Sequence, residues 1–276
     1  MPAKTVLITG CNQGGLGAAM AKVYRAKGFK VLATVRNAAK VGTLGETEGI
    51  EILELEVTSK ESIQKCAATV EKLTGGTLDI LVNNAGVGRV MPLLDLNLDE
   101  AKKVYDVNVW ALVAMTQEFA PMLIKAKGIV CNDCGLRANG DLGTYNSSRS
   151  ATTSISETLR IEMAPLGVRV VTAILGGIGT SGNDPDRKGE LELPAGSHYQ
   201  KLSNTINRYH KALVFTKKQN VDFAANNILN DVLRGGSIFI RRGEGSTLSW
   251  LAKAFLPHSL FTAMVNGESG LDELGS

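Results

Sequence analysis

Long apolar runs and runs of like charge are both missing from this chain of 276 residues. No hydrophobic stretch reaches the ~18 residues that cross a bilayer as a helix, so no transmembrane segment is expected. The amino terminus enters an apolar, β-branched stretch directly, without the basic segment and apolar core of a leader peptide. The expectation is a cytoplasmic protein, with peripheral contact to a membrane or lipid droplet left open by its apolar carboxyl-terminal stretch. The net charge is +3, from 30 basic and 27 acidic residues, and nucleic acid is not suggested as a partner. Cysteine is scarce, and Cys11, Cys66, Cys131 and Cys134 read as reduced thiols rather than a disulfide framework. Cys131-Asn132-Asp133-Cys134 has the spacing of a redox dithiol or half a zinc site, but no second pair accompanies it. The histidines, His198, His210 and His258, are too scattered for a metal cluster, so no metal is expected.

Proline is scarce as well, 7 residues against 30 glycines, which suits strands and helices alternating through tight turns. Hydrophobic residues make up 44% of the chain, enough for one large core. Apolar, β-branched segments predict strands at Lys4–Thr9, Lys30–Val35, Glu51–Val57, Leu78–Val82, Gly128–Asn132, Val168–Leu175 and Ser237–Ile240. Helical patterns fall between them: up to Lys27, Ser59–Leu73, Asp99–Lys125, Tyr145–Leu166 and Val221–Leu233. This alternation predicts an α/β, doubly wound (Rossmann), mostly parallel sheet of about seven strands in one domain over residues 1–276. The polar, irregular residues 181–215, which include His198 and Tyr199, read as a substrate lid or loop. The apolar residues 246–276 read as a carboxyl-terminal extension that packs on the domain or on a sister subunit.

The first strand runs into Gly10-Cys11-Asn12-Gln13-Gly14-Gly15-Leu16-Gly17 and then a helix, the context of a dinucleotide fingerprint. Amides at a helix amino terminus point at a pyrophosphate, and residues without side chains let it approach. Gly10, Asn12, Gly15, Leu16 and Gly17 are therefore candidate cofactor contacts. The second strand ends at Arg36, with Lys40 beyond it and no acid at positions 34–37. A cation there accommodates a 2′-phosphate, which favours NADP(H) over NAD(H). The fourth strand runs into Asn83-Asn84-Ala85-Gly86, where asparagines can lock the backbone and line the ligand crevice. Asn108 interrupts an apolar helical stretch, a poor place for a side chain that competes for backbone hydrogen bonds. Tyr145 and Arg149 stand one helical turn apart on a shared face. A fixed positive charge favours a phenolate, so the pair can exchange a proton with an alcohol or carbonyl oxygen.

Taken in order, Thr9-Gly10…Gly15-Leu16-Gly17, Asn83-Asn84-Ala85-Gly86, Asn108, Tyr145…Arg149 and Gly177-Ile178-Gly179-Thr180 resemble the short-chain dehydrogenase/reductase superfamily over nearly the whole chain. The turn, the Ala33-Thr34-Val35-Arg36-Asn37 strand end and the tail around Trp250 and Phe255-Leu256-Pro257 resemble its fungal group related to NADPH-dependent 1-acyldihydroxyacetone-phosphate reductase. The resemblance implies hydride transfer from nicotinamide to a carbonyl carbon, with Tyr145 as proton donor and Arg149 on the nicotinamide ribose. It assigns Asn108 to a proton-relay water, Thr180 and Ile178 to the carboxamide, and Asn83, Ala85 and Gly86 to the cofactor. Glu56 and Val57 fall at the adenine side. Two departures stand out. The family has lysine where this chain has Arg149, and a planar guanidinium is not a conservative exchange. The family's strand-end serine is absent, and Asn132 or Cys134 takes its place, Cys134 being the candidate catalytic group with a weakly donating thiol.

The expected function is an NADPH-dependent reductase of an apolar ketone: a lipid, or a polyketide or terpenoid intermediate of fungal secondary metabolism. Two other readings stay open: redox-neutral cyclisation or isomerisation in an NADP(H)-binding fold, and a non-catalytic NADPH-binding protein. The resemblance also implies a homodimer or homotetramer through the helices carrying Asn108 and Tyr145.

Overall fold

The computed structural model describes residues 3–135, 143–180, 189–212, 218–271 and Leu274. Its strands are β1 (Thr5–Ile8), β2 (Lys30–Val35), β3 (Ile50–Glu54), β4 (Ile80–Asn83), β5 (Ile129–Gly135), β6 (Arg169–Leu175), β7 (Ile178–Gly179), β8 (Gln219–Asn220) and β9 (Phe239–Arg242). Seven of them form one parallel sheet in the order β3-β2-β1-β4-β5-β6-β9, and β7 pairs with β8 apart from it. The helices are α1 (Leu16–Ala26), α2 (Lys60–Thr74), α3 (Leu98–Tyr105), α4 (Ala111–Ala126), α5 (Gly143–Met163), α6 (Ser203–Ala212), α7 (Val221–Arg234), α8 (Ser246–Phe255) and α9 (His258–Ser269).

Both faces of the sheet are covered, which is why its inner strands are apolar at nearly every position. Along β1, Val6 and Ile8 join a core with Ala18 and Ala21 of α1 and Ile228 and Val232 of α7. Leu7 points the other way and joins Val70 of α2 and Met115, Phe119 and Leu123 of α4. The strand order reverses direction between β1 and β4, and the crevice outside their carboxyl ends is where such sheets bind ligands.

Three expectations need correction. First, β5 runs on to Gly135, so Asp133 and Cys134 are strand residues paired with Ala173 and Ile174 rather than loop residues. Pairing with β6 outweighs the local turn character of Asn-Asp-Cys-Gly. Second, the lid stretch is partly helical: Gln200–Leu202 and α6 fold because Leu202 and Ile206 bury an apolar stripe. Residues 181–188 and 213–217 of the expected lid lie outside the described ones. Third, one helical stretch, Leu98–Ala126, is long and apolar enough to cross a membrane by length and composition. Half of its apolar window is buried inside the fold, with Met115, Phe119 and Leu123 in the core. This stretch is not a uniform α-helix, because a π turn at Asp106–Trp110 separates α3 from α4.

Candidate active site

The glycine turn is built for close approach. Gly10 takes the left-handed backbone (φ +74°), and a Cβ there would lie 3.0 Å from the Ala85 Cα. A Cβ on Gly17 would meet Asn84 Nδ2 at 2.6 Å and the Gly10 carbonyl at 2.7 Å. Gly15 caps α1 without any side chain to accept from its amides, and the first turn holds no acid. Asn12, Gln13 and Gly14 are exposed around this amino end, which leaves it electropositive and open to an anion. Thr9 holds the turn in place. Its Oγ1 accepts from the amides of Asn84 and Ala85, both at 2.9 Å, and Asn84 Nδ2 donates back to the carbonyls of Thr9 (2.7 Å) and Gly10 (3.2 Å).

The two neighbouring asparagines divide the work. Asn84 braces the glycine turn, whereas Asn83 points into the fold and donates to Asn132 Oδ1 at 2.9 Å. Asn132 Nδ2 donates in turn to Ser156 Oγ at 2.9 Å. The Asn83 Oδ1 is buried and has no partner among the described residues.

At the adenosine end, Arg36 and Lys40 are both exposed. The Gln13 amide donates to the Lys40 carbonyl at 2.9 Å, which brings the segment after β2 against the glycine turn. Glu56 folds onto its own turn, its Oε1 accepting from the Thr58 amide and hydroxyl. Val57 beside it is buried.

The chemistry concentrates where α5 crosses the ends of β4 and β5. Arg149 is 7% exposed and lies 5.1 Å from the centroid of the Tyr145 ring. Its Nη1 donates to the Asp133 carbonyl at 2.7 Å, and its Nε has no partner among the described residues. A Cβ on Gly86 would fall 2.6 Å from Arg149 Nη2, so the missing side chain at Gly86 is the seat of the guanidinium. Burial acts against the charge of Arg149, but Tyr145, Asp133 and Cys134 around it outweigh that and raise its pKa, so it stays a cation. Burial also pushes the Asp133 carboxyl up to about 6, with Arg149 pulling the other way.

Asn108 sits in the π turn, a distortion found often at functional sites. Its Oδ1 accepts from the Val87 amide at 2.8 Å. Its Nδ2 donates to the Val87 carbonyl (2.9 Å) and to Ser148 Oγ (3.0 Å), and Ser148 donates to the Tyr145 carbonyl (2.7 Å). Asn108 therefore ties the loop after β4 to the first turns of α5. Cys134 is fully buried, with its Sγ 3.9 Å from Ser156 Oγ on α5. Burial pushes its thiol up to about 12, and a thiol without exposed surface is closed to a substrate oxygen.

One cavity brings together Val57, Asn83, Ala85, Asn108 and Arg149, together with Thr9 and Asp133. Ile178 and Thr180 lie at the exit of β6, where the Thr180 amide donates to the Ile178 carbonyl at 2.9 Å. The backbone-locking role read for Asn83-Asn84 falls to Asn84; the braces formed by Asn132, Ser148 and Ser156 were not read, because hydroxyl and amide partners so far apart in the chain leave no local signal. The uncapped end of α1, the exposed Arg36 and Lys40, and the orphaned Asn83 Oδ1 and Arg149 Nε suit a dinucleotide bearing a 2′-phosphate.

A family model described as short chain dehydrogenase matches residues 4–191. The chain belongs to this family of oxidoreductases. The short-chain dehydrogenase cctT of Talaromyces islandicus is 65% identical over 277 residues, which cover 99% of this chain and 97% of that one. The NADPH-dependent 1-acyldihydroxyacetone phosphate reductase of Schizosaccharomyces pombe is 39% identical over 180 residues, 64% of this chain and 60% of that protein. A crystal structure of a short chain dehydrogenase from Burkholderia cenocepacia in complex with NADP has a TM-score of 0.74 at 21% identity, covering 95% of this chain and 97% of that one.

Proposed function

We propose that this short-chain dehydrogenase reduces the carbonyl group of an apolar small molecule with NADPH. The observation that carries the reading is the Tyr145–Arg149 pair, held by Gly86, Asp133 and the Asn108 brace at the end of the crevice that begins with the glycine turn. A bound NADPH supplies a hydride for the carbonyl carbon. The Tyr145 hydroxyl gives its proton to the carbonyl oxygen, and the product is an alcohol. Arg149 holds a permanent positive charge beside that hydroxyl and would bind the nicotinamide ribose. The amino end of α1 would hold the pyrophosphate, and Arg36 with Lys40 the 2′-phosphate. Ile178 and Thr180 would orient the carboxamide. The NADPH-dependent reductase among the relatives is named for an acylated ketone phosphate, which supports the choice of cofactor and of a carbonyl substrate that carries an acyl chain.

A second reading has its own support. With the thiol of Cys134 enclosed and Arg149 seated on Gly86 and Asp133, the donor set differs from the family pattern, and the pocket then serves redox-neutral cyclisation or isomerisation of a metabolite. A dimer or tetramer formed through α4 and α5 in the cytoplasm belongs to the same proposal: Trp110, in the π turn just before α4, and Ile161 of α5 leave 58% and 66% of their surfaces exposed. The test is NADPH oxidation against a panel of apolar ketones and quinones. Reduction that Tyr145→Phe abolishes supports the reductase. Tight NADPH binding with no panel member reduced counts against it.

A further inference from the structure

An acid stands near the end of β5. Asn132 and Cys134 face α5, where both meet Ser156. Side chains alternate along a strand, so Asp133 between them faces the other way. That is the side of Cys131, which packs in the same core as α1, the helix whose amino end opens the cofactor crevice. Asp133 is half-buried and borders the same cavity as Arg149, Asn83 and Ala85. Among the described residues around that cavity, only Asp133 and Arg149 have ionisable side chains. The two are tied together, because Arg149 Nη1 donates to the Asp133 carbonyl at 2.7 Å. Arg149 acts on the carboxyl from α5, and the thiols of Cys131 and Cys134, on the strand itself, are kept protonated by burial. Tyr145 bears on Arg149 as well. The neighbouring strands place Asn83 of β4 and Ala173 of β6 beside this end of β5, and neither titrates.

We propose that Asp133 is a specificity-determining residue for the oxidation state of the cofactor: its carboxylate favours NADP⁺ over NADPH by offsetting the Arg149 cation. This rests on the reductase reading only for the place of the nicotinamide, beside Arg149. NADP⁺ differs from NADPH by one positive charge on the nicotinamide ring. The permanent charge of Arg149 opposes that ring charge, and away from bulk water the repulsion is poorly screened. A carboxylate on the same cavity attracts the ring charge and removes the penalty. Tighter binding of the oxidised form makes hydride transfer from bound NADPH to a ketone more favourable, so the acid biases the site toward reduction. Burial raises the Asp133 carboxyl to about 6. The preference is therefore present above that pH and fades below it, as the acid takes up its proton.

The experiment measures the affinities of NADP⁺ and of NADPH by calorimetry on the full-length protein without substrate. It compares wild type with Asp133→Asn and Asp133→Glu at about pH 7.5 and about pH 5. In wild type the ratio of the two affinities is expected to move about tenfold toward NADP⁺ between the acid and the neutral measurement, which lowers the two-electron potential of the bound cofactor by about 30 mV. In Asp133→Asn the ratio stays at the acid value at both pH values. Asp133→Glu keeps the charge and is expected to keep the pH dependence. The 2′-phosphate also titrates at about pH 6, but it is common to both forms and cancels in the ratio. A wild-type ratio that does not change with pH overturns the proposal, and that comparison needs no variant to fold. Equal changes for both forms in Asp133→Asn also overturn it, since they point to a role in shape alone. A wild-type ratio that moves as expected in a protein that reduces no ketone counts against the reductase reading alone.

Discussion

Gly86 and Arg149 share one volume, and that makes the glycine a residue of the site. With a Cβ set to meet Arg149 Nη2 at 2.6 Å, Gly86→Ala has to move the guanidinium off the Asp133 carbonyl. The expected outcome is a fall in kcat/KM on the order of a hundredfold, typical of misplaced catalytic geometry, with the fold intact by circular dichroism. Asp133 makes a second prediction. Its carboxyl is raised to about 6 in the fold, above the ordinary value near 4, so the folded chain binds the proton more tightly than the unfolded one. Stability is therefore greatest below about pH 4 from this group and is lost as pH rises to about 6. Asp133→Asn removes that loss: above pH 6 the variant is expected to be more stable by on the order of 2 kcal/mol, read as a higher urea midpoint, and to lack the slope between those pH values. The Tyr145–Arg149 pair was legible in the sequence because a spacing of one helical turn is a local signal. The seat of Arg149 was not, since it is assembled from Gly86 and Asp133, far from α5 in the chain.

At the level of elements, the joint between β1 and the loop after β4 carries the cofactor turn. Thr9 Oγ1 accepts two amides there, and Asn84 returns two bonds to the turn. Thr9→Val keeps the shape and leaves both amides without that acceptor, which costs about 1–3 kcal/mol and loosens the turn. Weaker NADPH binding, measured by fluorescence titration, is expected together with a lower melting temperature. Most elements could be read from apolar periodicity, and β2 lies where its run of valine, leucine and alanine puts it. Three features could not. The end of β5 carries polar residues that suit a turn and become strand only by pairing with β6. The helix α6 is polar but for a narrow stripe. The π turn at Asn108 depends on the clamp to Val87 and Ser148, which no window of local sequence contains.

For the whole molecule, the order of strands and helices was enough to anticipate a doubly wound sheet and the crevice at its reversal. The packing of Leu271 and Leu274 on the cluster of Val90, Leu202 and Ile206 was not visible, because it follows a single left-handed glycine after α9. The π turn before α4 and the outer face of α5 expose Trp110 and Ile161, and the proposed subunit contact predicts that Ile161→Glu shifts the protein to a smaller species in light scattering, with the NADPH site retained. The most direct measurement of the central claim uses NADPH deuterated at the transferable nicotinamide position with an apolar ketone and mass spectrometry of the product. The expected result is an alcohol with one deuterium on its carbinol carbon for each NADPH consumed, and none formed by Tyr145→Phe. A product that carries no deuterium and leaves NADPH unspent would contradict hydride transfer and favour redox-neutral chemistry in the same pocket.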